Sequence, residues 1–191
     1  TPASEASAAV YAGNGKTVVT WVDQSNSYNA YYSTLTVSGT TITKTSQATG
    51  PGWFSYPSMV YHAGSGKILF FSEASNKINY TIGTISGTTV TWDPSGGNTY
   101  QSLGTQPSSQ PVYLNSSYDS LEEKVLFAYR QGSTSTHVTE AGFAGTTLTL
   151  SGPVITGLGT VSYMYQNYSS DLKGNVVIVS GGTGGRATVV K

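Results

Sequence analysis

The sequence predicts an all-β chain: a β-propeller-like array of about four four-stranded antiparallel blades, the last one incomplete. Two observations predict it. Apolar and polar residues alternate with a period of two throughout, and no segment of about ten residues or more carries a helical period. One hairpin pattern also recurs along the chain at a spacing of about fifty residues, and internal repetition of that length is the mark of a blade or solenoid unit. A β-sandwich or β-solenoid is the alternative, because hairpin repeats also stack linearly.

The hairpin is clearest at 59–73, Met-Val-Tyr-His-Ala-Gly-Ser-Gly-Lys-Ile-Leu-Phe-Phe-Ser-Glu. Two apolar runs flank a turn at Gly64-Ser65-Gly66, where glycine supplies the positive φ that a tight reversal needs. The pattern appears earlier at 9–23, around Gly13-Asn14-Gly15-Lys16. It returns at 112–130, with a polar turn through Asp119 and Lys124, and again at 165–179, through Lys173-Gly174.

The single domain, 1–191, therefore divides into blades at about 7–50, 57–99, 110–156 and 163–191. In the first, strands are expected at 8–12, 18–23, 30–37 and 41–45; in the second, at 58–62, 68–73, 79–85 and 89–92. The third has 111–114, 125–130, 137–143 and 147–150. The fourth has 164–168, 176–180 and 187–190. The third-to-fourth turns read Ser38-Gly39-Thr40, Ser86-Gly87-Thr88 and Ala144-Gly145-Thr146. Each second strand is close to continuously apolar, as a strand covered on both faces should be. Each fourth strand alternates hydroxyl and apolar residues, as an outer, half-wet strand should. Residues 1–6 are poor in β-formers and suit only weakly the task of completing the last blade.

Composition narrows the function. Charged residues are 9% of the chain and the formal net charge is zero. With no cluster of lysine and arginine, the electrostatic footprint of a nucleic-acid binder is missing. No apolar run approaches the ~20 residues of a membrane-spanning helix. The chain has no cysteine, so disulfides contribute nothing and the redox compartment is not readable from them. His62 and His137 are the only histidines, each alone among β residues, so no metal site and no cofactor are expected.

Two constellations are candidates for chemistry. Asp23, Glu73 and Arg130 end the second strand of three blades, at what the spacing makes one repeat position. Such groups would ring one mouth of a propeller channel, as a ligand site, an acid–base pair or a ring of ion pairs. An acid–base pair of carboxylates would have to face one cleft at roughly 5–10 Å. The second constellation is aromatic. Trp53, Phe54, Tyr56 and Tyr100 lie in the connections between blades, and Tyr28, Tyr31 and Tyr32 lie near Asn26 at the first blade's second-to-third connection. Aromatic faces stack on the apolar face of a sugar ring while amides bond its hydroxyls. The bland alternative is that these rings fill the wedges between sheets.

The stretch 60–91 combines Val-Tyr, Gly-Lys before an apolar strand, and Ser-Gly-Thr-Thr before the outer strand. This resembles the propeller repeats, about fifty residues long, of phage tail-fibre, tailspike and other virion-surface proteins. The resemblance covers some four-fifths of the chain and encodes shape rather than catalysis. The Ser-x-Asp-x-Gly-x-Thr-Trp box of sialidase blades is absent. The resemblance implies a non-enzymatic adhesion, receptor-binding or structural module on a virion surface or otherwise outside the cell. The partners it implies are a cell-surface glycan, other virion proteins or further copies of the chain. A lectin-like extracellular propeller and a glycan-processing enzyme are the alternatives.

Overall fold

The computed structural model describes residues 4–26, 29–52, 54–74, 76–93, 101–103, 111–120, 122–131, 135–150, 155–156, 163–167, 176–181 and 186–190. The protein is all-β, as its alternation predicts, with one 3-10 turn among the described residues, at Gln24–Asn26. The first sheet holds β1 (Ser4–Tyr11), β2 (Lys16–Asp23), β3 (Asn29–Ser38), β4 (Thr41–Lys44) and β5 (Ala48–Thr49). The second holds β6 (Ser55–His62), β7 (Lys67–Ala74), β8 (Lys77–Ser86), β9 (Thr89–Asp93) and β10 (Gln101–Ser102). The third holds β11 (Pro111–Asp119), β12 (Lys124–Gln131), β13 (Ser135–Ala144), β14 (Thr147–Leu150) and β15 (Ile155–Thr156). The fourth has three strands, β16 (Tyr163–Asn167), β17 (Val176–Gly181) and β18 (Arg186–Val190).

Each five-stranded sheet is a four-stranded unit whose outer strand is interrupted. In the first, β4 and β5 both pair with β3, through Ser38↔Thr41 at one end and Tyr31↔Thr49 at the other. The same holds for β9 and β10 on β8 and for β14 and β15 on β13. The two-residue segments are too short to show any period, so the sequence pattern reveals only the longer half of each outer strand. The turn into that strand is built alike three times. Gly39, Gly87 and Gly145 have φ of 58°, 58° and 63°, and each is followed by threonine. Positive φ at the first central residue is the II′ geometry that suits the twist of a hairpin.

The chain forms two compact units, Thr1–Ser72 with Asn79–Gln101 and Glu73–Ile78 with Ser102–Lys191. In the first unit β1 runs beside β6, and in the second β11 runs beside β16. Within each unit, the first strands of its two repeats are therefore neighbours. Ser4 pairs with Asp23, so the residues at the start of β1 extend the first sheet despite their weak β propensity.

The core of the first unit lies between the first two sheets. Val18, Val22, Ala30 and Tyr32 of the first sheet meet Met59, Ile68, Phe70, Val90 and Trp92 of the second. Tyr32 stands edge-on to Trp92 at 5.9 Å, and Phe70 to Trp92 at 6.1 Å. Each such ring contributes about 1.5–3 kcal/mol by leaving water. The Tyr32 hydroxyl also accepts the Val90 N–H at 3.0 Å, satisfying an edge-strand donor from the neighbouring sheet. Thr34 makes a similar link, donating to the Thr88 carbonyl at 2.8 Å.

Candidate functional site

The charged constellation separates into local roles. β2, β7 and β12 each begin with lysine and each run eight residues. Asp23 is the last residue of its strand, whereas Glu73 and Arg130 are next to last. The expected single repeat position is thus corrected. The cause is one extra residue in the second hairpin: four residues separate Tyr11 from Lys16, but five separate Tyr61 from Lys67. Because side chains alternate along a strand, the one-residue slip puts Asp23 on the opposite sheet face from its supposed counterparts.

Each carboxylate serves the loop that follows it. Asp23 Oδ1 accepts the Ser25 N–H at 2.9 Å and the Ser25 hydroxyl at 2.7 Å, opening the 3-10 turn. Glu73 is buried, and its Oε1 accepts the Asn76 N–H at 2.8 Å, where Asn76 has a φ of 63°. His62 is likewise a turn builder: the Ser65 N–H donates to its Nδ1 at 3.2 Å. Among the described residues no group of three or more His, Asp or Glu side chains is placed to hold a metal ion, and no helix is long and apolar enough to cross a membrane.

The aromatic constellation divides as well. Phe54 is 2% exposed and packs against Phe70 with ring centroids 4.7 Å apart, so it belongs to the core and not to a ligand-facing loop. The buried Pro51 and Gly52 that precede it carry the connection inward. Tyr56 remains at the surface, with a φ of 47° inside β6. Its place matches the register shifts near the start of β1 and of β11, where an extra residue enters the first strand. Trp53, Tyr100 and Tyr28 lie outside the described residues.

A cluster that sequence reasoning saw only in part, through Asn26 and Tyr31 and without Trp21 and Lys44, stands on the outer face of the first sheet, the face turned away from the core. Trp21 and Tyr31 are cross-strand partners, with ring centroids 6.2 Å apart and planes at 33°. The Asn26 amide donates to the Tyr31 hydroxyl, and Lys44 Nζ lies 5.6 Å from the centre of the Trp21 ring. Asn26 and Lys44 are exposed and the two rings are half-buried. Asp23, Asn29 and Thr49 share this face through the pairs Asp23↔Asn29 and Tyr31↔Thr49. The signal that finds it is register: Trp21 and Tyr31 lie at matched distances from the Asp23↔Asn29 hairpin end. The arrangement offers two ring faces, an amide, hydroxyls and one cation on an open strand surface.

Comparison with family models, with curated proteins and with solved structures gives no match for this chain.

Proposed function

We propose that the protein is a non-enzymatic, propeller-like binding module of a virion surface or another extracellular setting, and that it recognises a glycan at the Trp21–Tyr31 end of its first sheet. The observation that carries this reading is the pair of adjacent rings with Asn26 and Lys44 at their edge. Aromatic faces receive the C–H side of a sugar ring, and the amide and ammonium supply donors to its hydroxyls or carboxylate. The carboxylates that an acid–base mechanism would use are engaged in capping their own loops, which supports binding over catalysis. The low charge and hydroxyl-rich composition agree with an exposed extracellular surface.

A glycan array probed with the purified chain tests the reading. Wild type is expected to retain a defined set of glycans. Tyr31→Ala with Asn26→Ala is expected to lose them by about tenfold or more in affinity, in line with the cost of removing a central aromatic contact. Unfolding midpoints measured in parallel show that the double variant remains folded. Binding that survives the double variant would move the site elsewhere, and no glycan binding by wild type would sink the glycan reading.

A further inference from the structure

The outer face of the first sheet has a second, apolar end. Tyr11 pairs with Thr17, Thr17 with Leu35, and Val37 with Ile42, which places all five on the same face as Trp21 and Tyr31. Tyr11, Val37 and Ile42 are 61%, 48% and 66% exposed, and they are three of the four exposed large hydrophobic residues among those described. Isolated apolar residues at a surface are ordinary, but several on one sheet face mark an interaction surface.

The repeat shows what such a face packs against. β3 and β8 are both ten residues long and end in the same turn, so Val37 corresponds to Ile85 and Ile42 to Val90. β2 and β7 begin with the same lysine, so Thr17 corresponds to Ile68 and Val19 to Phe70. In the second sheet these corresponding residues pack into the core against the first sheet. The face that is open in the first sheet is therefore, position for position, the face that a neighbouring repeat sheet covers in the second. Its described charges are Lys44 and, at the far end, Asp23, so no like-charge barrier opposes a second sheet.

We infer that this apolar end is an interface to a second copy of the chain, which brings one of its own repeat sheets against Tyr11, Leu35, Val37 and Ile42. A second copy supplies the kind of surface that this face type meets inside the first unit. The contact centres on Tyr11, Val37 and Ile42; Tyr31 lies six residues from Val37, about 20 Å along the strand, and Lys44, the cross-strand partner of Leu35, stands between the two ends. The inference stands apart from glycan recognition, and substitutions at the two ends separate them.

Sedimentation velocity on the purified protein across a concentration series tests it. Wild type is expected to pass from monomer to a larger species as concentration rises. Ile42→Lys is expected to weaken that association by about tenfold or more with an unchanged unfolding midpoint, because its side chain leaves the core untouched. The chain has no cysteine, so Ile42→Cys gives a single thiol. Its labelling rate should fall as concentration rises. A monomer at every concentration with a freely reactive thiol would overturn the inference. So would a monomer whose thiol is protected at every concentration, since the face would then be closed within one chain. Association that Ile42→Lys and Val37→Lys leave unchanged would overturn it too.

Discussion

β2 and β7 start with the same lysine and have the same length, yet they occupy different environments. In β7 every residue from Ile68 to Glu73 is buried, so both faces of the strand are dry. In β2 burial alternates: Val18, Thr20 and Val22 are buried, while Thr17, Val19 and Trp21 are half-buried. The residues follow suit. The covered strand carries Ile-Leu-Phe-Phe, and the half-covered one carries Thr-Val-Val-Thr-Trp, with hydroxyls among smaller apolar groups. The lesson is that one repeat pattern tolerates two levels of coverage. The difference is written in side-chain size and not in the spacing of apolar positions.

The largest test of this contrast is Phe70→Ala beside Val19→Ala, the same strand position in two sheets. Phe70 is buried and touches Phe54 and Trp92, so truncation should cost about 3–5 kcal/mol in denaturant unfolding. The half-buried Val19 should cost clearly less, and equal costs would break the contrast. Next comes Gly83→Ala. A Cβ there would stand 2.8 Å from the Trp92 ring and 3.0 Å from Val90, so overpacking should destabilise by about 1–3 kcal/mol. Gly142→Ala opens onto free space and should be close to neutral in the same assay.

Thr20→Val should act in the opposite direction. The Thr20 hydroxyl is buried and finds no hydrogen-bond partner among the described residues. Replacing it with a methyl of similar shape should raise stability by about 1 kcal/mol. The smallest effect concerns His137, which stacks on Tyr129 at 5.3 Å and whose pKa is lowered by desolvation. The unfolded chain then binds its proton more readily, so stability should fall slightly as pH drops below about 6.5. Unfolding midpoints for wild type and His137→Gln over pH 5–8, about the range in which histidine titrates, should diverge below that value, with wild type losing more.

Much of the fold was legible in the residues. The Gly-Thr turns, the alternation and the recurrent hairpin mark the longer strands, including all three of the last repeat. Two features were hidden for physical reasons. β5, β10 and β15 are too short to carry a period, and the start of β1 gains order from pairing with β2 and not from propensity. The site was less legible. Counting residues between repeats put Asp23 and Glu73 at one position, because a one-residue difference in a turn is invisible to spacing yet reverses a side chain. Phe54 read as a loop aromatic, although its neighbours carry it into the core. Trp21 read as an ordinary strand residue until pairing set it beside Tyr31.

Hydroxyl-radical footprinting of dilute protein tests the central claim most directly, because it reads both faces of the first sheet in one sample. The account predicts rapid oxidation of Tyr11, with Trp21 and Tyr31 next, and strong protection of Tyr32 and Trp92. Oxidation of Trp92 at the rate of Trp21, or equal protection of Tyr11 and Tyr32, would contradict it.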